Sequence, residues 1–478
     1  MDTHAVIVGG GLAGLAAVAA LAQRGIKVTL LESRPRLGGR ASSFVDRKTG
    51  TQIDNCQHVS MRCCTNLQHF CQTVGLGEFF RCEKELHFIG PDGSITSLRA
   101  NAWPAPFHLA RSFRGLNYLT RAEQSGIVTT LRRLARVDYT TCNGMSFGDW
   151  LHREGESAAT IERFWHVVLV SALSESLDRV DLYHARKVFV DAFLANRHGW
   201  EVQIPTAPLE KLYGDYLANW LTARGADVRL NHGVAQIITN AEGAVAVELQ
   251  DGQRISADHV VIAVPFQRVL SLLPEKYHDH PQLANILQLE SAPISSVHLW
   301  FDRPITQLPH AVFVGRLSQW MFNRTALQQP NSDSTCRPAP GESSATPGFY
   351  LQVVISASRG LADTSQDQVI TQVVDELTGI WPETAQARLV HSRMVTEHKA
   401  VFSVKPGAES CRPPQQSPIS NVQLAGDWTK TGWPATMESA VRSGYLAAEN
   451  VLGHLGRVEK LLQADLPTSL LSKILLGL

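Results

Sequence analysis

Gly9, Gly11 and Gly14 stand in the spacing G-x-G-x-x-G, and an acid, Glu32, follows them. Bare glycines at that spacing let backbone N–H groups approach a pyrophosphate, and a carboxylate placed so accepts hydrogen bonds from a ribose. The chemistry on offer is the holding of a dinucleotide. It needs a strand before the glycines, a helix whose positive N-terminal end opens from them, and a second strand that ends at the acid. The sequence supplies each. Ala5-Val6-Ile7-Val8 reads as a strand, Leu12 to Arg24 as an Ala/Leu helix stopped by Gly25, and Lys27 to Leu31 as the second strand.

The same run has a rival reading. No charged residue occurs between Ala5 and Ala22, which suggests a membrane span or the apolar part of a signal peptide. A signal peptide carries a basic segment first, and no Lys or Arg precedes this run. Three consecutive glycines, Gly9 to Gly11, suit a tight turn rather than a spanning helix. Composition agrees with a soluble reading: 478 residues suggest two domains, and 44% hydrophobic with 18% charged is an ordinary globular balance. Lys plus Arg equals Asp plus Glu at 44 each, so no net field draws nucleic acid to the chain. Eight cysteines show no framework and no C-x-x-C, and read as reduced thiols of a cytoplasmic protein. Cys63, Cys64, His69 and Cys71 fit no standard metal spacing, so no metal site is expected.

After Glu32 the chain reads Ser33-Arg34-Pro35-Arg36-Leu37-Gly38-Gly39-Arg40. With the βαβ unit before it, this resembles the FAD-dependent amine oxidases and carotenoid desaturases. That resemblance implies FAD as cofactor, with Glu32 on the adenosine ribose and Arg40 beside the diphosphate. Two later stretches extend it. From Ala226 to Pro265 short β-branched runs alternate with turn signals, and the strand His259 to Val264 rejoins the sheet; here the resemblance gives Val234 a backbone contact with adenine. Near the C-terminus a strand, Val422 to Ala425, delivers Gly426 and Asp427, then a Trp-rich loop, then a helix from about Ala435. The resemblance places Gly426 and Asp427 at the diphosphate and ribityl chain, and Thr436, Met437 and Glu438 against the isoalloxazine. A helix N-terminus at Thr436 would favour a reduced, anionic ring.

The implied fold class is α/β: a Rossmann-like FAD-binding domain of the amine oxidase type, interleaved with an α+β substrate domain. The FAD domain is expected from residues 1–95, 205–265 and 415–455, and the substrate domain from 96–204 and 266–414. Residues 326–348, rich in Pro, Ser and Gly, read as a flexible loop, and 456–478 as a tail that either lies on a membrane or packs as a helix.

Three features bear on the substrate. Amine oxidases place an aromatic residue just before the Met-Glu pair as half of an amine cage, and Thr436 stands there instead. Between Trp103 and Val137, Arg111, Arg114, Arg121, Arg132, Arg133 and Arg136 face a single acid, Glu123, among aromatic and Leu residues. That mixture suits a surface resting on anionic lipid at the inner face of a membrane, and an apolar substrate taken from it. Finally, the segments 54–70, 146–213 and 402–445 resemble the squalene-associated branch of the group, the hydroxysqualene dehydroxylases of hopanoid and squalene synthesis. That branch reads D-N-G-Q-H where this chain has Asp54-Asn55-Cys56-Gln57-His58, so Cys56 is a departure. In a left-handed conformation it would cost about 1 kcal/mol.

The resemblance implies reductive loss of the allylic hydroxyl of a C30 polyprenyl alcohol, with hydride from N5 of reduced flavin, and association with other enzymes of squalene synthesis. It puts Gln57 and His58 near the flavin. The departing water needs a proton donor; His58 is the first candidate and Asp54 the second, while Glu175 and Asp178 could equally end a solvated helix. Two alternatives stand beside this reading: an oxidative carotenoid or polyene desaturase of the same fold, and a non-catalytic terpenoid-binding flavoprotein.

Overall fold

The computed structural model describes residues 3–138, 144–328 and 348–478. His4–Val8 is the middle strand of a five-stranded parallel sheet, ordered Asp227–Arg229, Lys27–Leu31, His4–Val8, His259–Ile262, Val422–Leu424. Val8 lies opposite both Leu31 and Ile262. Gly9 and Glu32, each one residue past a strand, therefore emerge side by side at the carboxyl edge, where open parallel sheets bind ligands. The helix Leu12–Ala22 is buried at every position, as expected of a helix apolar all round. It packs on the helix Met437–His454 through Gly444, where a Cβ would come within 2.3 Å of the Ala13 carbonyl oxygen. The uncharged opening run is thus a core strand, a turn and a core helix. No helix among the described residues is long and apolar enough to cross a membrane.

A second, seven-stranded sheet runs Leu389–Phe402, Ser291–Phe301, Phe349–Ile355, Trp320–Asn323, His310–Phe313, Glu85–Ile89, Ile95–Arg99. Its pairs are antiparallel except that of His310–Phe313 with Glu85–Ile89. This corrects one boundary: residues 85–95, placed by sequence with the FAD domain, pair inside the second sheet. A meander of Val234–Thr239, Ala244–Leu249 and Arg254–Ser256 joins two strands of the parallel sheet. Helices from Ala110–Arg114 and Arg121–Ala135 through Val188–Leu194 cover the space between the sheets' edges. Two of these pieces, Ile161–Trp165 and Val188–Leu194, and the later stretch Glu210–Tyr216 are wound as π-helix, a form that recurs at functional sites.

The loop expected over 326–348 lies outside the described residues from 329 to 347; Arg324–Leu327 before it is a short helix. The C-terminal tail packs and exposes at once. Its extended part is tied by Glu449 to the amides of Leu461 and Leu462, and by Asn66 to Gln463. Its last helix, Leu470–Leu476, buries Leu476 against Ala135, Val190 and Ala195, while Leu470 and Ile474 are 71% and 66% exposed.

Candidate functional site

The three glycines of the first motif are required for separate reasons. Gly9 has φ +110°, and a Cβ there would meet the Ala263 carbonyl oxygen at 2.6 Å; one on Gly14 would lie 2.0 Å from the Gly9 oxygen. A Cβ on Gly11 would meet nothing within 4 Å. Gly11 caps the helix Leu12–Ala22 with no side-chain hydrogen bond, so the positive helix end faces a recess that any side chain would fill. Gly38 donates its N–H to the Gly10 oxygen (2.9 Å), which lays the second Gly-rich loop over the first. Glu32, buried, accepts from the Gly10 amide through Oε2 and the Arg34 amide through Oε1, both at 2.8 Å. His232 donates its amide to the Glu32 carbonyl (2.8 Å), and this sets the meander, with Val234 two residues on, beside the acid.

The two ends of the chain meet at Arg40. Its Nη2 pairs with Asp427 Oδ1 at 2.6 Å and its Nη1 donates to the Ala400 carbonyl at 2.8 Å. Gly426 donates its amide to Ser443 Oγ (2.7 Å), and Thr436 caps Met437–His454 by accepting from the Ser439 amide. One residue of this loop system was not singled out by spacing. Arg36, half-buried in the second Gly-rich loop, keeps its Nε enclosed without a protein partner, and a guanidinium with a free donor there suits a phosphate.

Several expected roles change. Glu438 lines the chamber beside Met437 and spends its carboxylate on protein donors: Oε2 accepts from the Leu67 amide (2.7 Å) and Oε1 from Asn66 Nδ2 (2.9 Å). It caps the helix Thr65–Thr73, and burial raises its pKa. Asp54 is no proton donor. Its Oδ1 accepts from Ser43 Oγ (2.7 Å) and the Leu209 amide (2.9 Å), its Oδ2 pairs with Arg324 Nη2 (3.1 Å), and its side chain is 1% exposed. Arg324 also donates through Nη1 to Gln57 Oε1 at 2.5 Å, which holds Gln57 in the same network. His58 donates Nδ1–H to the Cys56 carbonyl (2.9 Å), and burial lowers its pKa, so it stays neutral with Nε2 as an acceptor. A neutral imidazole in that tautomer cannot deliver a proton from Nε2.

Cys56 is absent from the residues with positive φ, so the replacement of glycine carries no left-handed strain. Its thiol is pushed up to about 12 by burial and packs in an apolar cluster with Leu86, Trp200 and Ile204. Glu175, 1% exposed, is locked by Arg359 (3.0 Å) and Ser403 Oγ (2.6 Å), and Asp178 lies exposed beside Gly148.

Beside the Thr436–Met437 turn a cavity of about 840 Å³ opens. Its walls are mostly Leu, Val and aromatic side chains from the helical layer, Leu86 and Phe88 of the second sheet, and Val59 of the loop after His58. Ordinary ligand pockets span about 300–1,000 Å³. The mouth is set by Arg114, Arg121, Val128 and Arg132, all exposed, and by Leu476. Ser469 Oγ donates to the Ala105 carbonyl and Arg136 to the Leu475 carbonyl. The last helix therefore sits between Trp103, 61% exposed, and the end of Arg121–Ala135.

A parallel nucleotide sheet, a glycine cradle and an apolar chamber at its edge define a cofactor-dependent oxidoreductase. Residues 12–452 match the family described as flavin containing amine oxidoreductase, and the chain belongs to it, with FAD as cofactor. The chain is 27% identical over 470 residues to the 15-cis-phytoene desaturase of Solanum lycopersicum, covering 94% of this chain and 77% of that protein. It is 25% identical over 475 residues to the zeta-carotene desaturase of Arabidopsis thaliana, covering 93% and 84%. Cyclohexylamine oxidase from Brevibacterium oxydans shares the fold with a TM-score of 0.70 at 17% identity, over 96% of this chain and 100% of that one.

Proposed function

We propose that the protein removes the allylic hydroxyl of hydroxysqualene reductively and releases squalene. The observation that carries this is the apolar chamber of about 840 Å³ whose wall includes the Thr436–Met437 turn. The segments that resemble the squalene-associated branch supply residues to its lining, Val59 and Ser60 from one and the helices His166–Leu173 to Val188–Leu194 from another.

Gly9, Gly11 and Gly14 would hold the FAD diphosphate with Arg40 and Arg36, Glu32 the ribose, Val234 the adenine, Gly426 and Asp427 the ribityl end, and Thr436 and Met437 the ring. Bound in its reduced form, FAD supplies the two electrons and the hydrogen that replace the hydroxyl. The chain's own part is to orient the allylic carbon and keep water from it. Phe164, Phe189 and Leu173 are of the right kind, because a dry wall strengthens every electrostatic interaction on the ionising C–O bond. In the balance the C–O bond breaks, a C–H bond forms with hydride from reduced flavin, the hydroxyl takes up one proton, the second hydrogen of FADH2 or one from solvent, and leaves as water, and flavin is oxidised.

The substrate enters, on this reading, from a membrane surface. Leu470, Ile474 and Trp103 present apolar surface around the mouth, and Arg111, Arg114 and Arg132 have no carboxylate partner among the described residues. Apolar groups ringed by arginines suit an anionic lipid interface.

The phytoene and zeta-carotene desaturases among the relatives favour a second reading, oxidative desaturation of a polyene. One experiment separates the two. Protein with reduced FAD is incubated anaerobically with hydroxysqualene, and oxidised protein with an electron acceptor and a carotene precursor. Squalene in the first arm is the expected result. Its absence overturns the dehydroxylase reading, and dehydrogenated polyene in the second arm would install the other.

A further inference from the structure

We propose that Lys187, set by Asp191 against Trp433, forms a hydroxyl-binding subsite in the apolar chamber, so that the ligand class is a polyprenyl alcohol rather than a hydrocarbon. This deepens the dehydroxylase reading and rests on it. Lys187 ends the helix Leu182–Lys187, and Asp191 follows one turn later in the π-helical stretch Val188–Leu194. Their side chains pair at 2.6 Å, with 13% and 30% exposure, and both stand in the chamber wall. Lys187 Nζ lies 4.6 Å from the centroid of Trp433, a cation over an aromatic face.

Two unpaired donors sharpen the assignment. Trp433 Nε1 and Ser171 Oγ are buried with no hydrogen-bond partner, and both residues line the same chamber. Buried polar groups are nearly always bonded, so an orphaned indole N–H beside an ammonium marks a place for an acceptor oxygen. The other charged groups of the wall are committed or peripheral. Glu438 caps Thr65–Thr73, Arg163 donates to the Tyr118 carbonyl, and Arg114, Arg121 and Arg132 are exposed at the mouth. Trp433 lies three residues before Thr436, the start of the turn expected against the flavin ring.

An alcohol oxygen placed there accepts from Lys187 Nζ–H and Trp433 Nε1–H. As the C–O bond lengthens, negative charge grows on that oxygen and both bonds strengthen, which is where a fixed cation helps most. Asp191 keeps the ammonium in position. The charged and titratable groups near Lys187 are Asp191 on its own helix run, Asp465 of the tail at 4.0 Å, Tyr183 and His184 beside it, and Arg442, which pairs with Asp465 at 2.7 Å and also lies against Trp433. A hydrocarbon offers these donors nothing and still excludes water from them. Sites built to bond a hydroxyl reject analogues that lack it for that reason.

The test uses oxidised FAD-loaded protein, which binds the alcohol without turning it over. Partition of labelled hydroxysqualene and of squalene from neutral phospholipid vesicles is measured for wild type and for Lys187→Met. Wild type is expected to hold the alcohol about tenfold or more tightly than squalene, the range for a hydrogen bond to a charged group. Lys187→Met should bring the alcohol to the level of squalene and leave squalene binding unchanged. Equal binding of the two ligands by wild type, or full discrimination in Lys187→Met, overturns the subsite. Should Lys187→Met not fold or lose FAD, Trp433→Phe decides: it removes the Nε1 donor and keeps the ring, and discrimination that does not fall overturns the proposal. Wild type that selects the alcohol yet forms no squalene when reduced leaves the subsite standing and fells the dehydroxylase reading.

Discussion

Replacing Arg324 by Leu tests how the stretch Asp54 to His58 is held beside the chamber. The Arg324 and Asp54 side chains are each 1% exposed, and the guanidinium bonds Asp54 Oδ2, Gln57 Oε1 and the Pro205 carbonyl. Removing one partner of such a pair strands the other charge, at a cost of about 3–5 kcal/mol. Asp54 Oδ1 keeps its bonds from Ser43 Oγ and the Leu209 amide, so the lower end, about 3 kcal/mol, is expected. Urea unfolding followed by far-UV circular dichroism and by flavin fluorescence reads it as a lower midpoint with an unchanged slope. Adding Asp54→Asn should recover part of the loss, because the amide oxygen still accepts both donors and no charge is buried. A loss below about 1 kcal/mol, the typical value for any point mutation, would refute the account. So would a double variant no more stable than Arg324→Leu alone.

Gly11→Val should leave the fold intact, since a Cβ there meets nothing within 4 Å, yet abolish the 450 nm flavin absorbance of about one FAD per chain that the cradle predicts; retained flavin would disprove the diphosphate site. Gly444→Val, which drives a side chain into the Ala13 carbonyl at 2.3 Å, should destabilise by about 1–3 kcal/mol in thermal unfolding. His298 is fully buried with Nε2 unpartnered, and burial lowers its pKa to about 3. The unfolded chain takes up that proton near pH 6.5 and the fold does not. Stability therefore drops as pH falls from about 6.5 toward 3, by up to about 1.4 kcal/mol per unit. His108, His184 and His310 are lowered by burial too and add to the slope, so urea midpoints at pH 7.5 and 5.5 should show His298→Asn reducing it by one histidine's share rather than abolishing it. Leu470→Ser with Ile474→Ser should weaken sedimentation with anionic vesicles about tenfold or more while leaving the melting temperature in place, because both side chains are largely exposed. Unchanged sedimentation would remove the last helix from the membrane-facing rim.

Legibility in the sequence followed the range of the interactions. The first strand, the glycine turn, the buried helix and Glu32 depend on contacts within one βαβ unit, and spacing alone placed them. The strand Glu85–Ile89 reads no differently from a nucleotide-sheet strand. Its sheet is decided by pairing with His310–Phe313, far along the chain, and no local pattern carries that. Arg324 escaped notice for the same reason, standing 270 residues from Asp54 at the edge of a Pro/Ser-rich stretch. The partners of Glu438 could not be read locally either, since its carboxylate turns to the amides of Asn66 and Leu67 on another helix.

The failed acids share a direction, and it explains where polar chemistry is left. In the run Asp54 to His58 every polar side chain with a bond turns back into the fold: Asp54 and Gln57 to Arg324, Asn55 to the Arg40 carbonyl, His58 to the Cys56 carbonyl. Cys56 joins an apolar cluster. None of these five residues lines the chamber; the two that follow, Val59 and Ser60, do, and they bring no charge to its wall. A run so committed cannot also meet a leaving hydroxyl, since an atom already bonded in a dry interior must break that bond first, at about 1–3 kcal/mol for the partner left behind. The helical stretch that begins at Lys187 differs. There the π-helical winding of Val188–Leu194 follows Lys187 directly, Asp191 accepts from Lys187 Nζ, and Trp433 Nε1 keeps its donor unspent three residues before Thr436. An apolar lining with polar contact confined to one place is what an allylic alcohol requires, orientation from the first and a partner for its oxygen from the second.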